Sequence, residues 1–312
     1  MTRAFVFPGQ GSQAVGMGRE LADAFATARH TFEEVDDALS QHLSRIVFEG
    51  PESDLTLTAN AQPALMTVSM AVVRVLEEQG GAPVADLGAY AAGHSLGEYT
   101  ALAATGALSL GETARLLRTR GEAMQRAVPV GEGAMAAIMG LDMDTVRAVC
   151  DDAQQGEVCA PANDNAPGQI VVSGHAGAVE RAIAGAKAKG AKRAVQLSVS
   201  APFHCSLMQP AADRMAEALD AVEIAAPSLP IVANVSAEPV REPGTIRDNL
   251  VRQVTAPVRW RESMLALRER EVDELVELGA GKVLSGLVRR IDRGFQATAI
   301  GGPADLEAFL GG

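Results

Sequence analysis

The chain has 312 residues, enough to bury one large core or a core with an insertion. It is 47% hydrophobic but only 4% aromatic, so its core must be built from Ala, Val, Leu, Ile and Met. A net charge of −12 disfavours nonspecific binding to nucleic acid or an anionic membrane, no stretch approaches the ~20 apolar residues of a membrane span, and three cysteines without zinc or redox spacing fit a reduced, cytoplasmic setting.

The start, Met1 to Phe7, lacks the apolar run of a secretory signal, and Ala4 to Phe7 reads as a short buried strand. It leads into the Gly-rich loop Pro8-Gly9-Gln10-Gly11-Ser12-Gln13, which has neither Gly-x-Gly-x-x-Gly nor the lysine of a phosphate loop. Such a loop brings backbone close to something, and the N–H of Gln10 is a candidate oxyanion donor; a plain strand-to-helix turn is the alternative. Arg19 to about Leu43 reads as helical, Gly50-Pro51-Glu52-Ser53 as a turn, and Gln62-Pro63 as the start of a helix whose Met66 and Met70 are core residues. Gly80-Gly81-Ala82-Pro83 ends that helix.

Leu87 to Ala92 is a short apolar strand candidate, and Tyr99 to Ala104 reads as helix. Between them lies Gly93-His94-Ser95-Leu96-Gly97-Glu98-Tyr99, a Gly-x-Ser-x-Gly elbow. A serine at a sharp strand-to-helix turn is lifted above the sheet edge, and the N–H of Leu96 is aimed where an attacked carbonyl would gain negative charge. Ser109 and Glu112 form a capping box that starts a helix running to Ala127. Advancing about 100° per residue from Leu110 puts Arg120 in the apolar stripe of Leu116, Leu117, Met124 and Ala114, with Arg115 and Arg118 outside it and solvated. A buried guanidinium needs an anionic partner, either a structural Asp or Glu or the carboxylate of a substrate, which arginine binds in bidentate fashion.

From Gly133 to Val199 the expected order is strand Ala134 to Gly140, helix Met143 to Gln154, strand Val158 to Ala162, strand Gln169 to Ser173, helix Ala176 to Lys189 and strand Arg193 to Val199. That is βαββαβ, a ferredoxin-like unit inserted into a larger one. Asn163-Asp164-Asn165 lacks the spacing of a calcium loop and reads as an ordinary loop. The chain returns through Ser200-Ala201-Pro202-Phe203-His204-Cys205. Of the five histidines, His204 is best placed as the base that a serine nucleophile needs, whereas His94 adjoins the serine and is a candidate substrate contact. Cys205 reads as a small buried residue. Leu229 to Val235 and Glu274 to Leu278 are further strands, and Gly279-Ala280-Gly281-Lys282 opens a helix with Arg289, Arg290 and Arg293.

FPGQGSQ (Phe7 to Gln13), NAQPAL (Asn60 to Leu65), GHSLGEY (Gly93 to Tyr99), Arg120-Gly121, SAPFHCSLM (Ser200 to Met208), QVTAPVRW (Gln253 to Trp260) and ELGAGKVL (Glu277 to Leu284) together resemble the malonyl-CoA:acyl carrier protein transacylase family, across nearly the whole chain and in the family's order. The resemblance implies an α/β fold: an α/β-hydrolase-like large domain (1–129 plus 199–312) with an inserted small ferredoxin-like subdomain (130–198). It implies Ser95 as nucleophile, His204 as base, the N–H groups of Gln10 and Leu96 as oxyanion hole, Arg120 as carboxylate fork, and the backbone carbonyl of Gln253 orienting the histidine in place of a triad acid. His94 and Phe203 match the malonyl-type pattern of substrate contacts, as against methylmalonyl. The implied substrates are a coenzyme A thioester and the phosphopantetheine thiol of an acyl carrier protein, with no metal or bound cofactor and a cytoplasmic monomer. A carrier protein of acidic character would dock on a basic patch from Lys187, Lys189, Lys192 and Arg193, joined by Lys282, Arg289 and Arg290; solvated helix ends are the alternative. A serine thioesterase, a silent carrier-binding module and a trans-acting acyltransferase of a polyketide synthase are the rival functions.

Overall fold

The uninterrupted apolar run Ala4 to Phe7 has no polar face, as befits a strand covered on both sides. It forms most of β1 (Thr2–Phe7), which lies inside a six-stranded sheet. The computed structural model describes residues 2–199 and 201–311; Ser200, which opens the SAPFHCSLM segment, lies outside them with Met1 and Gly312.

The remaining strands are β2 (Tyr90–Gly93), β3 (Gly133–Met139), β4 (Cys159–Ala166), β5 (Gln169–His175), β6 (Arg193–Gln196), β7 (Ile231–Val232), β8 (Pro239–Val240), β9 (Val272–Leu278) and β10 (Gln296–Ile300). The first sheet runs β10-β9-β1-β2-β7-β8 and is parallel except at β8. The elbow strand is shorter than the apolar pattern suggests. Val84–Leu87 is a turn of helix, and pairing with β1 begins only at Tyr90. The strand expected over Leu229 to Val235 is likewise reduced to Ile231–Val232. Asn234, just beyond it, is buried and gives its hydrogen bonds to the elbow.

The helix Thr58–Gly80 starts four residues before the expected Gln62-Pro63, and Pro63 lies inside it. Its first turn is held by packing. A Cβ on Gly121 would stand 2.6 Å from Ala59 Cα, so the Arg120 helix and this turn are in backbone contact. Met66 and Met70 are core residues. Arg19 to Leu43 is two helices, Arg19–Ala24 and Ala26–Leu39, and Glu52–Thr56 is helical where a turn was expected. The capping box is present: Ser109 and Glu112 bond each other's backbone N–H at the start of Leu110–Ala127.

The second sheet runs β4-β5-β3-β6, antiparallel throughout, and Met143–Gln154 and Ala176–Ala188 pack on it. Ile138, Val146, Val149, Ile170, Val172 and Val179 give it an apolar cluster of its own. It is tied to the rest of the chain at β4. Asp164 N–H donates to Val258 O (2.9 Å), Val258 N–H donates to Ala162 O (2.9 Å), and the buried Asp164 carboxylate takes a bidentate grip from Arg261 (2.7–3.0 Å). Asn163-Asp164-Asn165 is therefore strand and not loop, because backbone pairing on both sides fixes it. Among the described residues no helix is long and apolar enough to cross a membrane, and no cluster of three or more His, Cys, Asp or Glu is placed to hold a metal ion.

Candidate active site

Strand β2 and the helix Leu96–Ala104 meet so closely that only glycine fits at the contact. A Cβ on Gly93 would lie 1.9 Å from the Gly97 carbonyl group, and one on Gly97 would lie 2.3 Å from Phe7 O. The chain turns between them at Ser95, held at φ 53, ψ −109. A left-handed φ on a residue with a side chain costs energy and marks a site where the surroundings impose the geometry. Here the surroundings are visible. Asn234 Oδ1 accepts from the Ser95 N–H (2.7 Å), and Asn234 Nδ2 donates to Gly93 O (2.7 Å).

Ser95 Oγ–H donates to His204 Nε2 at 2.9 Å. His204 also has a positive φ, 59°, in the turn that follows Pro202. Its Nδ1 faces two carbonyl oxygens, Gln253 at 2.9 Å and Ala256 at 3.2 Å. Carbonyls only accept, so Nδ1 carries the proton and Nε2 is left free to take one from the serine. Burial, and then the charge of Arg120, push the imidazole down to about 3, so it is held neutral.

Arg120 is 1% exposed, inside the apolar stripe as the helical spacing predicts. Its partners are neutral. Nη1 donates to Gln62 Oε1 (2.8 Å), and Nη2 donates to Gln253 Oε1 (2.8 Å) and to Ser95 Oγ (3.1 Å). Among the described residues no carboxylate grips it directly. Glu98, 2% exposed, reaches it only through Gln253, and burial pushes its carboxyl up to about 7 against the pull of its hydrogen bonds and of Arg120. Burial also lowers the Arg120 guanidinium, with Tyr99 and Glu98 opposing. A guanidinium that faces a cavity and hydrogen-bonds only neutral groups is set to receive an anion. Arg118, expected to be solvated, is half-buried and donates to Asn60 Oδ1 (2.7 Å) and to Gln41.

A cavity of about 370 Å³ opens above Ser95. Gln10, His94, Leu96, Arg120, Phe203 and His204 all line it, so the structure brings together seven of the eight residues singled out in the sequence. The eighth, Gln253, is fully buried behind it. The N–H of Leu96 opens its helix and so has no intrahelical carbonyl to bond. His94 Nε2–H donates to Asn165 Oδ1 (2.8 Å), and its ring lies 5.6 Å from that of Trp260.

Five residues of this constellation escaped the sequence reading: Gln62, Glu98, Asn163, Asn165 and Asn234. Asn234 and Asn165 carry no local signal, because their partners lie 139 and 71 residues away. Glu98 did carry one, being the residue after Gly97 in the elbow, on a helix face that the structure buries.

A family model described as acyl transferase domain matches residues 4–299. Over 308 residues the chain is 47% identical to a malonyl CoA-acyl carrier protein transacylase of Bacillus subtilis, covering 98% of this chain and 96% of that one. It is 46% identical over 307 residues to the protein of that description from Escherichia coli K12, covering 98% of each. Among solved structures, an acyl-carrier-protein-S-malonyltransferase from Bartonella henselae superposes with a TM-score of 0.97 at 55% identity over 100% of both chains. A chain in the complex of a type II polyketide synthase acyl-carrier protein with its malonyl-transacylase superposes with a TM-score of 0.96 at 44% identity, over 100% of this chain and 99% of that one. With a serine elbow, a neutral histidine and full-length similarity on the same residues, the chain belongs to the acyl transferase domain family.

Proposed function

We propose that this enzyme moves a malonyl group from malonyl-CoA to the phosphopantetheine thiol of an acyl carrier protein, by way of a malonyl ester on Ser95, and so supplies fatty-acid synthesis. One observation carries the reading. The Ser95 hydroxyl is shared by a neutral base, His204, and by a buried guanidinium, Arg120, so nucleophile, base and carboxylate fork meet at one oxygen.

Ser95 Oγ attacks the thioester carbonyl as its proton passes to His204 Nε2. The oxyanion lies between the N–H groups of Gln10 and Leu96, each worth about 3–4 kcal/mol to the transition state. The C–S bond breaks, and the CoA thiolate takes the proton from His204. The carrier thiol then enters by the same steps in reverse, in ping-pong order. Arg120 holds the malonyl carboxylate, which neutralises a guanidinium that the protein itself leaves without an anionic partner. His94 and Phe203 shape the acyl end of the cavity. No metal or bound cofactor takes part. The Gln253 carbonyl replaces a triad acid: it orients His204 without adding negative charge.

In this reading the chain is an α/β-hydrolase-like domain (1–129 plus 199–312) with the ferredoxin-like unit 130–198 inserted, the cavity between them. Strand order β4-β5-β3-β6 and the separate apolar cluster support it. The enzyme acts as a cytoplasmic monomer. The carrier protein docks on the basic end of the second sheet. Arg193 begins β6 where it pairs with Met139, Lys192 just before it donates its N–H to Met139 O, and Arg290 reaches the same end through Gln169. A polyketide carrier is a second acceptor to consider, given the similarity to the malonyl-transacylase solved with one.

Intact-protein mass measurement after mixing with malonyl-CoA tests the proposal. A malonyl-sized adduct on the native protein and none on Ser95→Ala, discharged by holo carrier protein and slowly by water, is the expected result. Fast discharge by water alone would make the protein a hydrolase.

A further inference from the structure

Among the described residues Glu98 is the one buried carboxylate in contact with the catalytic network, and the transfer steps above give it no task. It sits one helical turn after Ser95. Its Oε2 accepts from the Asn234 N–H (3.1 Å) and from Gln253 Nε2 (2.8 Å). That second bond has a consequence for the amide. Gln253 Nε2 faces three oxygens, Glu98 Oε2, Ser95 O (3.0 Å) and Asn234 Oδ1 (3.4 Å). An amide flipped by 180° would point its own oxygen at all three and its NH₂ at the Arg120 guanidinium. When ionised, the carboxylate opposes that flip most strongly, because a hydrogen bond to an ionised acceptor is about twice as strong as a neutral one. With the amide fixed, Gln253 Oε1 is left as the acceptor that holds Arg120 Nη2 at 2.8 Å.

We propose that Glu98 is a positioning residue for acyl-group choice: its carboxylate fixes the Gln253 amide, and through it the aim of the Arg120 fork. The chain of contacts is Glu98 Oε2, Gln253 Nε2 and Oε1, Arg120 Nη2, Ser95 Oγ, each link within 3.1 Å. Asn234 completes the role, since the residue that receives Glu98 at its N–H also holds the Ser95 N–H. Glu98 touches neither substrate nor reacting atoms; it acts by keeping two groups that do in register.

The inference rests on the malonyl-transfer reading, and the experiment separates the two. The protein is offered an equimolar mixture of malonyl-CoA and acetyl-CoA, and the ratio of malonyl to acetyl on Ser95 is read by intact mass. That ratio does not depend on how much protein is folded. Glu98→Ala is expected to lower it by about tenfold, the worth of one weakened hydrogen bond. Glu98→Gln, whose amide oxygen can still accept from Gln253, is expected to restore most of it. Glu98→Asp, with the carboxylate drawn back by one methylene, is expected to lower the ratio as well and serves if the alanine variant does not fold. In an Arg120→Ala background, Glu98→Asp should leave the ratio where Arg120→Ala puts it, because the two act in series. An unchanged ratio in the single variants would overturn the inference, as would a further drop in the Arg120→Ala background. If Arg120→Ala alone leaves the ratio at the native value, the carboxylate-fork reading fails, and this inference goes with it.

Discussion

His204 Nδ1 lies 2.9 Å from the backbone carbonyl oxygen of Gln253, so the imidazole is held by a peptide group and not by a carboxylate. The side chain of the same residue faces the other way and holds Arg120. Truncating it should therefore separate two functions. Gln253→Ala keeps the carbonyl and is expected to keep Ser95 reactive toward a serine-directed phosphonate probe within about tenfold, the scale of one lost hydrogen bond. His204→Ala is expected to lower labelling by roughly 10²–10⁴, the usual contribution of a general base. Equal losses in both variants would show that the Gln253 side chain is needed to seat the histidine.

Arg120 makes three hydrogen bonds to neutral oxygens. Replacing it with alanine should lower kcat/KM for malonyl-CoA by roughly a hundredfold or more, given ~1.5–3 kcal/mol for each charge-assisted bond. Relative use of acetyl-CoA should rise, since acetyl has no carboxylate to strand. Arg120→Lys keeps the charge but loses the planar fork and should fall between the two. Steady-state kinetics with both thioesters decides it. Unchanged malonyl kinetics in Arg120→Ala would remove the carboxylate from that guanidinium.

Several pieces of this site are legible in the chain because their signals are local. Ser95 is marked by glycines on either side, Arg120 by its place in a 3.6-residue stripe, and the helix carrying Arg120 by the Ser109–Glu112 box. The second sheet is legible for the same reason: its strands and helices alternate at short spacing, and their order is the expected one. What stayed hidden depends on distant partners. The strand before Asn234 keeps only two residues because the chain leaves the sheet there to hold the elbow. Asn163 to Asn165 has loop composition, yet pairing with β5 and Val258 makes it strand. Pro63 mimics a helix start, but packing against Gly121 carries the helix back to Thr58. The exact partners of Arg120 were not legible either, since neutral Gln62 and Gln253 stand where an acid was the local expectation.

The proposed docking surface yields a kinetic test. Lys187, Lys189, Lys192 and Arg193 are all exposed, as are Lys282, Arg289 and Arg290. Charge reversal at Lys189 and Lys192 is expected to raise KM for the carrier protein severalfold at low salt, with the effect shrinking as ionic strength rises. KM for malonyl-CoA should not move. An unchanged KM for the carrier would place docking elsewhere.

Glu98 has a consequence for stability as well as for aim. Burial raises its carboxyl to about 7 from an ordinary 4.5. A raised acid binds its proton more tightly in the folded state, so its contribution to stability is complete below the unfolded value and is lost as pH rises through 7. Glu98→Gln has nothing to titrate. Relative to the native protein, it should therefore gain roughly 2–3 kcal/mol between pH 5 and pH 8. Arg120 and His204 are present in both proteins, so their own contributions largely cancel. Chemical denaturation of the pair at the two pH values measures the difference. The same difference at both would mean that Glu98 ionises as an ordinary surface carboxylate does.

His204 titrates in the opposite sense, and the substrate should shift it. In the free enzyme burial and the Arg120 charge hold the imidazole near 3, so kcat/KM should show no acid limb at the ordinary histidine value. Once a malonyl carboxylate lies on Arg120, that positive charge is offset and the second-largest of the lowering causes is removed. The limb in kcat, which reports the complex, should then lie at higher pH than the limb in kcat/KM. Acetyl-CoA supplies the control. It carries no carboxylate, so Arg120 stays uncompensated and its two limbs should nearly coincide. The comparison is best made in Glu98→Gln, where no carboxyl titrates near 7 to imitate a histidine limb. Coincident limbs with both thioesters would mean that the charge of Arg120 is not felt at His204, and that burial is the main cause that keeps the imidazole neutral.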